Sequence, residues 1–348
     1  MKLNLQTLLQ QRRFRSPDGW DWSFRTFEDN IKIRYGHTRS RKPYQAIVVV
    51  IGGLGDFGEQ YFELANQLEE NNLKAIIIDM PGQGGSSRYI PNEPMKRHSK
   101  GFDIILSQLH QVIDEVVLST AIDIEDNYKR LPIILFAHSM GGHIAVRYLS
   151  EYNKTSRGHT IFSCAILSAP MIGIKNVNYF PSFLRYPILK ILSLIPTAYV
   201  PGGCGWYDGY RERTGFKGIF SSDPERYELQ RAYFTNPDTQ FLAIGSPTNK
   251  WLLDAYLSCK KIEQIGYVEK IEIPVLVGIA GSDELVDNSA THKMVPRLKH
   301  GELIEIQWSQ HEIVMESDKF RTPFMERSFT FIEDNVLNKA DKGKTYIQ

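Results

Sequence analysis

Three things are scarce in this sequence. Cysteine is the first: Cys164, Cys204 and Cys259 are the only ones, far apart, odd in number and without a CxxC pair. That pattern speaks against a disulfide framework or a cysteine zinc site and for a reducing compartment. Charge of one sign is the second, since 41 basic residues face 40 acidic ones. No overall field draws the chain to nucleic acid or to an anionic membrane, so contact with either has to be local. Long apolar runs are the third. A membrane span needs roughly 20 apolar residues, and the nearest candidate, YFPSFLRYPILKILSLIPTAYV at 179–200, is broken by Arg185, Pro187 and Lys190. The apolar run before Gln10, Gln11, Arg12 and Arg13 is too short for a signal peptide and no small-residue cleavage site follows, so this segment is expected to be retained. A cytoplasmic protein is expected, or one peripheral to the inner face of the membrane.

What is present suffices for a large core: 348 residues, 42% hydrophobic and 11% aromatic. Between Trp20 and Thr38, WSFRTF and IKIRYGH read as two extended segments around a turn at Glu28, Asp29 and Asn30. From Ala46 onward, continuous apolar runs (AIVVVIGG, KAIIIDM, PIILFAHS) alternate with amphipathic helical stretches. Such runs belong to a parallel sheet covered by helices on both faces, here with an antiparallel start. After SCAILSAP (163–170) the alternation stops for about ninety residues, far beyond the usual connection. It resumes with IPVLVGIAGSD, a helix near 288–298, the strand ELIEIQWS and a terminal helix from Pro323 to Asn338. The expected organisation is a core of residues 1–173 and 268–348 interrupted by a cap at 174–267, with helices near 182–194 and 222–232.

Three strand ends carry chemistry. Ala137-His138-Ser139-Met140-Gly141 joins the strand PIILF to the helix GGHIAVRYL, the context a nucleophile elbow requires, with Ala137 in place of the first glycine of G-x-S-x-G. Asp283 follows IPVLVGIAG, and His311 follows ELIEIQWS. Serine, acid and histidine in that order, each past the carboxyl end of a strand, share one edge of a parallel sheet. Serine is a poor nucleophile at neutral pH, so an imidazole must take its proton and a carboxylate must hold the tautomer. Ser139 is therefore the expected nucleophile, His311 the base and Asp283 the orienting acid. Asp287, just before the helix near Asn288, suits an N-cap instead. Gly52-Gly53-Leu54-Gly55 follows the strand VVVIGG, so the backbone N–H groups of Leu54 and Met140 are the expected oxyanion donors. His138 is expected to pack in the elbow, its side chain pointing away from that of the serine. Activity should rise with pH with a midpoint at roughly pH 6 to 7.5.

Other signals compete with this set. Gly53-Leu54-Gly55-Asp56-Phe57-Gly58 matches G-x-G-x-x-G, with Asp79 at the end of the next strand, and read alone suggests a dinucleotide. Asp56 and Glu59 would, however, put negative charge where a pyrophosphate should sit. No cofactor is expected. No metal is expected either, because His311-Glu312 lacks the second histidine of HExxH, and His138 and His143 do not share a helix face. Arg211 and Arg213, in YRERTG, are read as solvated loop charges rather than phosphate ligands.

AHSMGG around Ser139, DMPGQGGSS after the second parallel strand, AGSDELVDN around Asp283 and QHEIVMESD around His311 resemble the lysophospholipase and monoacylglycerol lipase branch of the α/β-hydrolases. The cap segments SSDPERY and GSPTNKWL look more like bacterial lysophospholipases. By resemblance the expected fold is that of an α/β-hydrolase with an inserted cap, and Ser139, Asp283 and His311 carry over as the triad, with Leu54 and Met140 as oxyanion donors. The implied substrate is a small-molecule acyl ester or lysolipid, cleaved through an acyl-enzyme. Gly52 stands where many relatives have the histidine of an HG pair, and Ala137 where most have glycine. Monoacylglycerol lipase, thioesterase, acyltransferase and amidase share the same machinery, and a non-catalytic binding scaffold is the alternative of another class. In the cap, Phe180, Phe183, Leu184, Ile188, Leu189, Leu192 and Ile195 either line an acyl channel over the serine or form the cap's own core. The cap is also the expected place for a transient membrane-surface contact.

Overall fold

The structure, a computed structural model, describes residues 3–40, 42–123, 129–154, 158–213 and 218–338. Its sheet has eight strands: β1 (Trp20–Thr26), β2 (Lys32–Thr38), β3 (Ala46–Ile51), β4 (Leu73–Ile78), β5 (Ile133–His138), β6 (Cys164–Ser168), β7 (Val275–Ala280) and β8 (Gly301–Ile306). Their spatial order is β1-β2-β4-β3-β5-β6-β7-β8. β1 and β2 pair antiparallel with Trp20 opposite Thr38, and β2 meets β4 antiparallel. Every later neighbour is parallel. The expected mostly parallel sheet with an antiparallel start is thus present.

Strand β3 explains why helices cover both faces. Its side chains alternate across the sheet, with Ile47, Val49 and Ile51 joining one hydrophobic cluster and Ala46, Val48 and Val50 the other. The first cluster is closed by α2 (Phe102–Val112) and α3 (Met140–Glu151), the second by α1 (Phe62–Glu70) and α8 (Asp318–Ile332). With both faces buried, the strand can be apolar at every position.

Between β6 and β7 run α4 (Ser182–Leu192), α5 (Pro224–Thr235) and α6 (Asn249–Glu263), and α7 (Asn288–Met294) follows β7. The sequence pointed to the first two but not to α6, although Trp251, Ala255, Cys259 and Ile262 recur at helical spacing and are buried. Among the described residues these helices do not share one core, and only α4 and α6 meet in a small cluster of their own around Leu189 and Leu253. Trp251, Ala255 and Ile262 of α6 join the main cluster, whereas Leu229, Ala232 and Tyr233 of α5 pack with Leu5, Leu8 and Phe14 from the N-terminus.

Two expected boundaries move. α8 begins at Asp318 rather than at Pro323, because the Ser317 carbonyl already accepts the amides of Phe320 and Arg321, leaving the proline inside the helix. β8 ends at Ile306 rather than Ser309, since Trp308 takes a left-handed φ of 66° and turns the chain toward His311.

Candidate active site

Ser139 stands between β5 and α3 with φ 51° and ψ −116°, a backbone state costly for a residue with a Cβ. Its amide donates to the Ser168 carbonyl at 2.9 Å, and its own carbonyl accepts from Met171 at 2.9 Å and His143 at 3.0 Å. Ties on both sides hold the strain. Gly141 allows the sharp entry into α3, because a Cβ there would lie 2.5 Å from the carbonyl oxygens of Ile51 and Gly52. Ala137, in the strand, is fully buried, so its small side chain fits where a glycine was expected.

Three strand ends converge on this serine. His311 Nδ1 donates to Asp283 Oδ2 at 2.6 Å, which leaves Nε2 unprotonated to accept the Ser139 hydroxyl at 2.8 Å. The amides of Leu285 and Val286 donate to Asp283 Oδ1 at 2.8 and 3.0 Å. Burial opposes ionisation of Asp283, but His311 and these two amides together hold its carboxyl below the ordinary range. Asp287 points elsewhere: it caps α7 by accepting from Ser289 N at 2.9 Å.

Gly53 brings the loop after β3 against Ser139, since a Cβ on it would lie 2.9 Å from that of Ser139. The amides of Leu54 and Met140, on either side of the serine, donate to no backbone carbonyl among the described residues. Both therefore remain open to an oxyanion. With Gly52 in place of a bracing histidine, other groups hold this loop. Asp56 Oδ2 accepts from Gly53 N at 2.5 Å and from the Tyr61 hydroxyl at 2.7 Å. Gln83 donates to the Gly53 carbonyl at 2.6 Å and accepts from Gly55 N at 2.9 Å, and Arg97 Nη1 donates to the Leu54 carbonyl at 2.9 Å.

These contacts also account for the glycine-rich run that resembled a dinucleotide motif. Gly53 abuts Ser139, Gly55 lies under the Arg97 guanidinium and Gly58 lies against Trp22. Asp79 and Glu59 are both bound to buried Arg34.

A sequence profile of the serine aminopeptidase S33 family matches residues 42–318. The chain belongs to this family. Within it, the probable lysophospholipase L2 of Haemophilus influenzae is 25% identical over 84% of this chain and 85% of its own length. Lysophospholipase L2 of Escherichia coli K12 is likewise 25% identical, over 84% of this chain and 82% of its own length. Among solved structures, a soluble variant of monoglyceride lipase from Saccharomyces cerevisiae superposes with a TM-score of 0.69 at 16% identity, covering 93% of this chain and 97% of that one. The fold is that of an α/β-hydrolase.

Several expectations for this S33 protein need correction. His138 does not point away from the site: its ring centroid is 4.9 Å from that of His311. Nδ1 donates to the Ser168 carbonyl at 3.0 Å, and burial pushes the imidazole down to about 4, so it stays neutral beside His311. Arg211 is not a solvated loop charge. Its guanidinium lies 4.5 Å from the ring centroids of both Phe220 and Tyr227; the side chain of Arg213 lies outside the described residues. The expected acyl-channel residues are placed otherwise too. Phe180, Phe183 and Leu184 are exposed, Phe183 at 75%, and Ile188 and Leu192 are half-buried. Ile195 is exposed as well, and Leu189 packs on Val177 and Leu253. The cause is helical spacing: α4 meets the body along Arg185, Leu189 and Leu192, which turns Phe183 and Ile191 outward.

Glu312 is the group the sequence did not reveal. It is buried next to His311, and burial, with Asp56 nearby, pushes its carboxyl up to about 7. Burial alone would lower the His311 pKa, but Asp283 first, then Glu312 and Asp56, outweigh it and hold it above the ordinary histidine value. A raised pKa keeps the base protonated to higher pH, where it cannot take the serine proton. The kcat/KM profile should therefore rise with pH through a midpoint above 6.5, the ordinary value. Glu312→Gln removes one raising carboxylate and should move that midpoint to lower pH. A profile flat between about pH 5 and 8, or a midpoint unmoved by the substitution, would contradict this account.

Proposed function

We propose that this protein is a serine-dependent carboxylic ester hydrolase acting on single-chain acyl lipids, a lysophospholipid before a monoacylglycerol. The reading rests on one observation, the hydrogen-bonded series from Ser139 through His311 to Asp283. Ser139 attacks the acyl carbonyl as His311 Nε2 takes its proton, and Asp283 stabilises the imidazolium. The oxyanion forms against the amides of Leu54 and Met140. His311 returns the proton to the departing alcohol, and water then releases the acyl group by the same steps. The similarity to lysophospholipases L2 over most of the chain supports the substrate class.

The decisive experiment combines a fluorophosphonate probe with acyl esters of matched chain length, each below its critical micelle concentration. Labelling that requires Ser139, and kcat/KM rising with chain length, is the expected result, because each buried methylene contributes up to roughly 0.8 kcal/mol. Faster turnover of short peptides would favour the aminopeptidase chemistry in the family's name and defeat the lipid assignment.

The segment 174–267 is proposed as the cap through which the protein meets a lipid surface. Phe183, Ile191, Leu194 and Ile195, each at least 66% exposed, form an apolar face, and Lys190 lies among them. That combination suits an anionic interface, where apolar groups insert and the lysine meets head groups. Phe183→Asp with Ile191→Asp should release the protein from anionic phosphatidylglycerol vesicles in a sedimentation assay while leaving its melting temperature little changed. Equal sedimentation of wild type and variant would remove this role. No helix among the described residues is long and apolar enough to cross a membrane. Three cysteines, far apart in sequence and odd in number, suit a reducing compartment, which supports a cytoplasmic site of action, peripheral to the membrane.

A further inference from the structure

We propose that Arg97 and Arg211 form an anion subsite beside Ser139 that takes the phosphodiester of a lysophospholipid head group. The proposal rests on the hydrolase assignment above and narrows its substrate.

The two guanidinium groups come from different segments, Arg97 from the stretch after β4 and Arg211 from the short helix Tyr210–Arg213. Arg97 bonds the carbonyl of Leu54, next to the glycine that touches Ser139. Arg211 stacks on Phe220, whose carbonyl accepts the Glu312 amide at 2.8 Å, while that of Ile219 accepts the His311 amide at 3.2 Å. The arginines are close enough that Arg211 opposes the charge on Arg97.

Neither forms an ion pair among the described residues. Arg211 donates to the Tyr227 carbonyl and to Gln230, and Arg97 keeps a buried Nε without any partner. Two carboxylates face them. Asp56 is engaged by Gly53 and Tyr61, and Glu312, held near 7, carries only part of a charge at neutral pH. Two neighbouring half-buried like charges without a committed counter-ion repel each other, and a bound phosphodiester relieves that repulsion through charge-assisted hydrogen bonds. The leaving alcohol must lie at His311, which protonates it. A glycerophosphate attached through that oxygen therefore extends toward the His311 loop and Arg211. A monoacylglycerol has no group to place there.

The test measures kcat/KM for 1-acyl lysophosphatidylglycerol and for the monoacylglycerol of the same chain, in wild type, Arg97→Gln, Arg211→Gln and the double variant. The ratio of the two is the readout. Damage to the oxyanion loop affects both esters alike and cancels, so a merely bracing Arg97 leaves the ratio unchanged. The expected result is a ratio lowered about 10-fold or more in each single variant, through KM, as for loss of a hydrogen bond to a charged group. Arg211→Lys should recover part of it. Arg211→Gln alone decides the matter if Arg97→Gln does not fold, and an unchanged ratio there overturns the proposal. A wild-type protein that cleaves neither ester would instead refute the hydrolase assignment. The subsite is then judged by calorimetry with glycerol 3-phosphate on Ser139→Ala protein: binding abolished by Arg211→Gln sustains it, and no binding overturns it. Inorganic phosphate binding as tightly as glycerol 3-phosphate would overturn the head-group assignment.

Discussion

Replacing Ser139 with alanine is expected to lower ester turnover by about 10⁴-fold or more, on the scale of triad knockouts, while leaving the fold intact. The hydroxyl supplies the covalent step, and the elbow is held by backbone bonds to Ser168, Met171 and His143 that alanine also makes. Alanine keeps the strain at φ 51°, so the melting temperature should change little. Ser139→Gly makes a sharper comparison. Glycine adopts this backbone state freely, and relief of strain on the order of 1–3 kcal/mol should raise the melting temperature while activity remains lost. Substantial turnover by either variant would remove Ser139 from the chemistry. A glycine variant less stable than the alanine one would show that the elbow is not strained.

Asp283→Asn should be nearly as damaging, with a loss of about 10³- to 10⁴-fold. Asparagine can present its amide N–H to His311 Nδ1, which favours the tautomer protonated at Nε2 and removes the acceptor for the Ser139 proton. The carboxylate that raises the His311 pKa disappears as well, so residual activity should titrate at lower pH than in the wild type. Asp287→Asn is the matched control. Asparagine caps a helix about as well as aspartate, so turnover should stay within about 3-fold and stability should fall by less than about 1 kcal/mol. If the asparagine at 287 were the damaging one, the acid would have to be reassigned.

Much of this site was legible because its geometry follows from local rules. A parallel sheet places the ends of β5, β7 and β8 on one edge, so Ser139, Asp283 and His311 could be named from strand ends alone. Asp287 could be set aside as a cap for the same local reason. The departure at Gly52 was also visible. What replaces a histidine there was not, because Gln83 and Arg97 come from the segment after β4 and reach the loop that Asp56 and Tyr61 hold locally only when β3 and β4 pair and that segment folds back.

The segment between β6 and β7 shows the opposite balance. Its apolar residues are evident in the sequence, but composition cannot tell a face turned to the body from one turned to solvent. That choice follows from how α4 sits against α6, where Leu189 meets Leu253.

The sequence by itself therefore determined the sheet, its two helical faces and the three strand-end side chains that meet at Ser139, since alternation period and strand-end position are local properties of the chain. Only the tertiary structure decided how the loop after β3 is braced, that Glu312 lies buried beside His311, that most of α4 is exposed and that Arg211 is stacked on Phe220 and Tyr227 rather than solvated. These depend on contacts between segments far apart in sequence, whose packing and mutual burial no local pattern encodes.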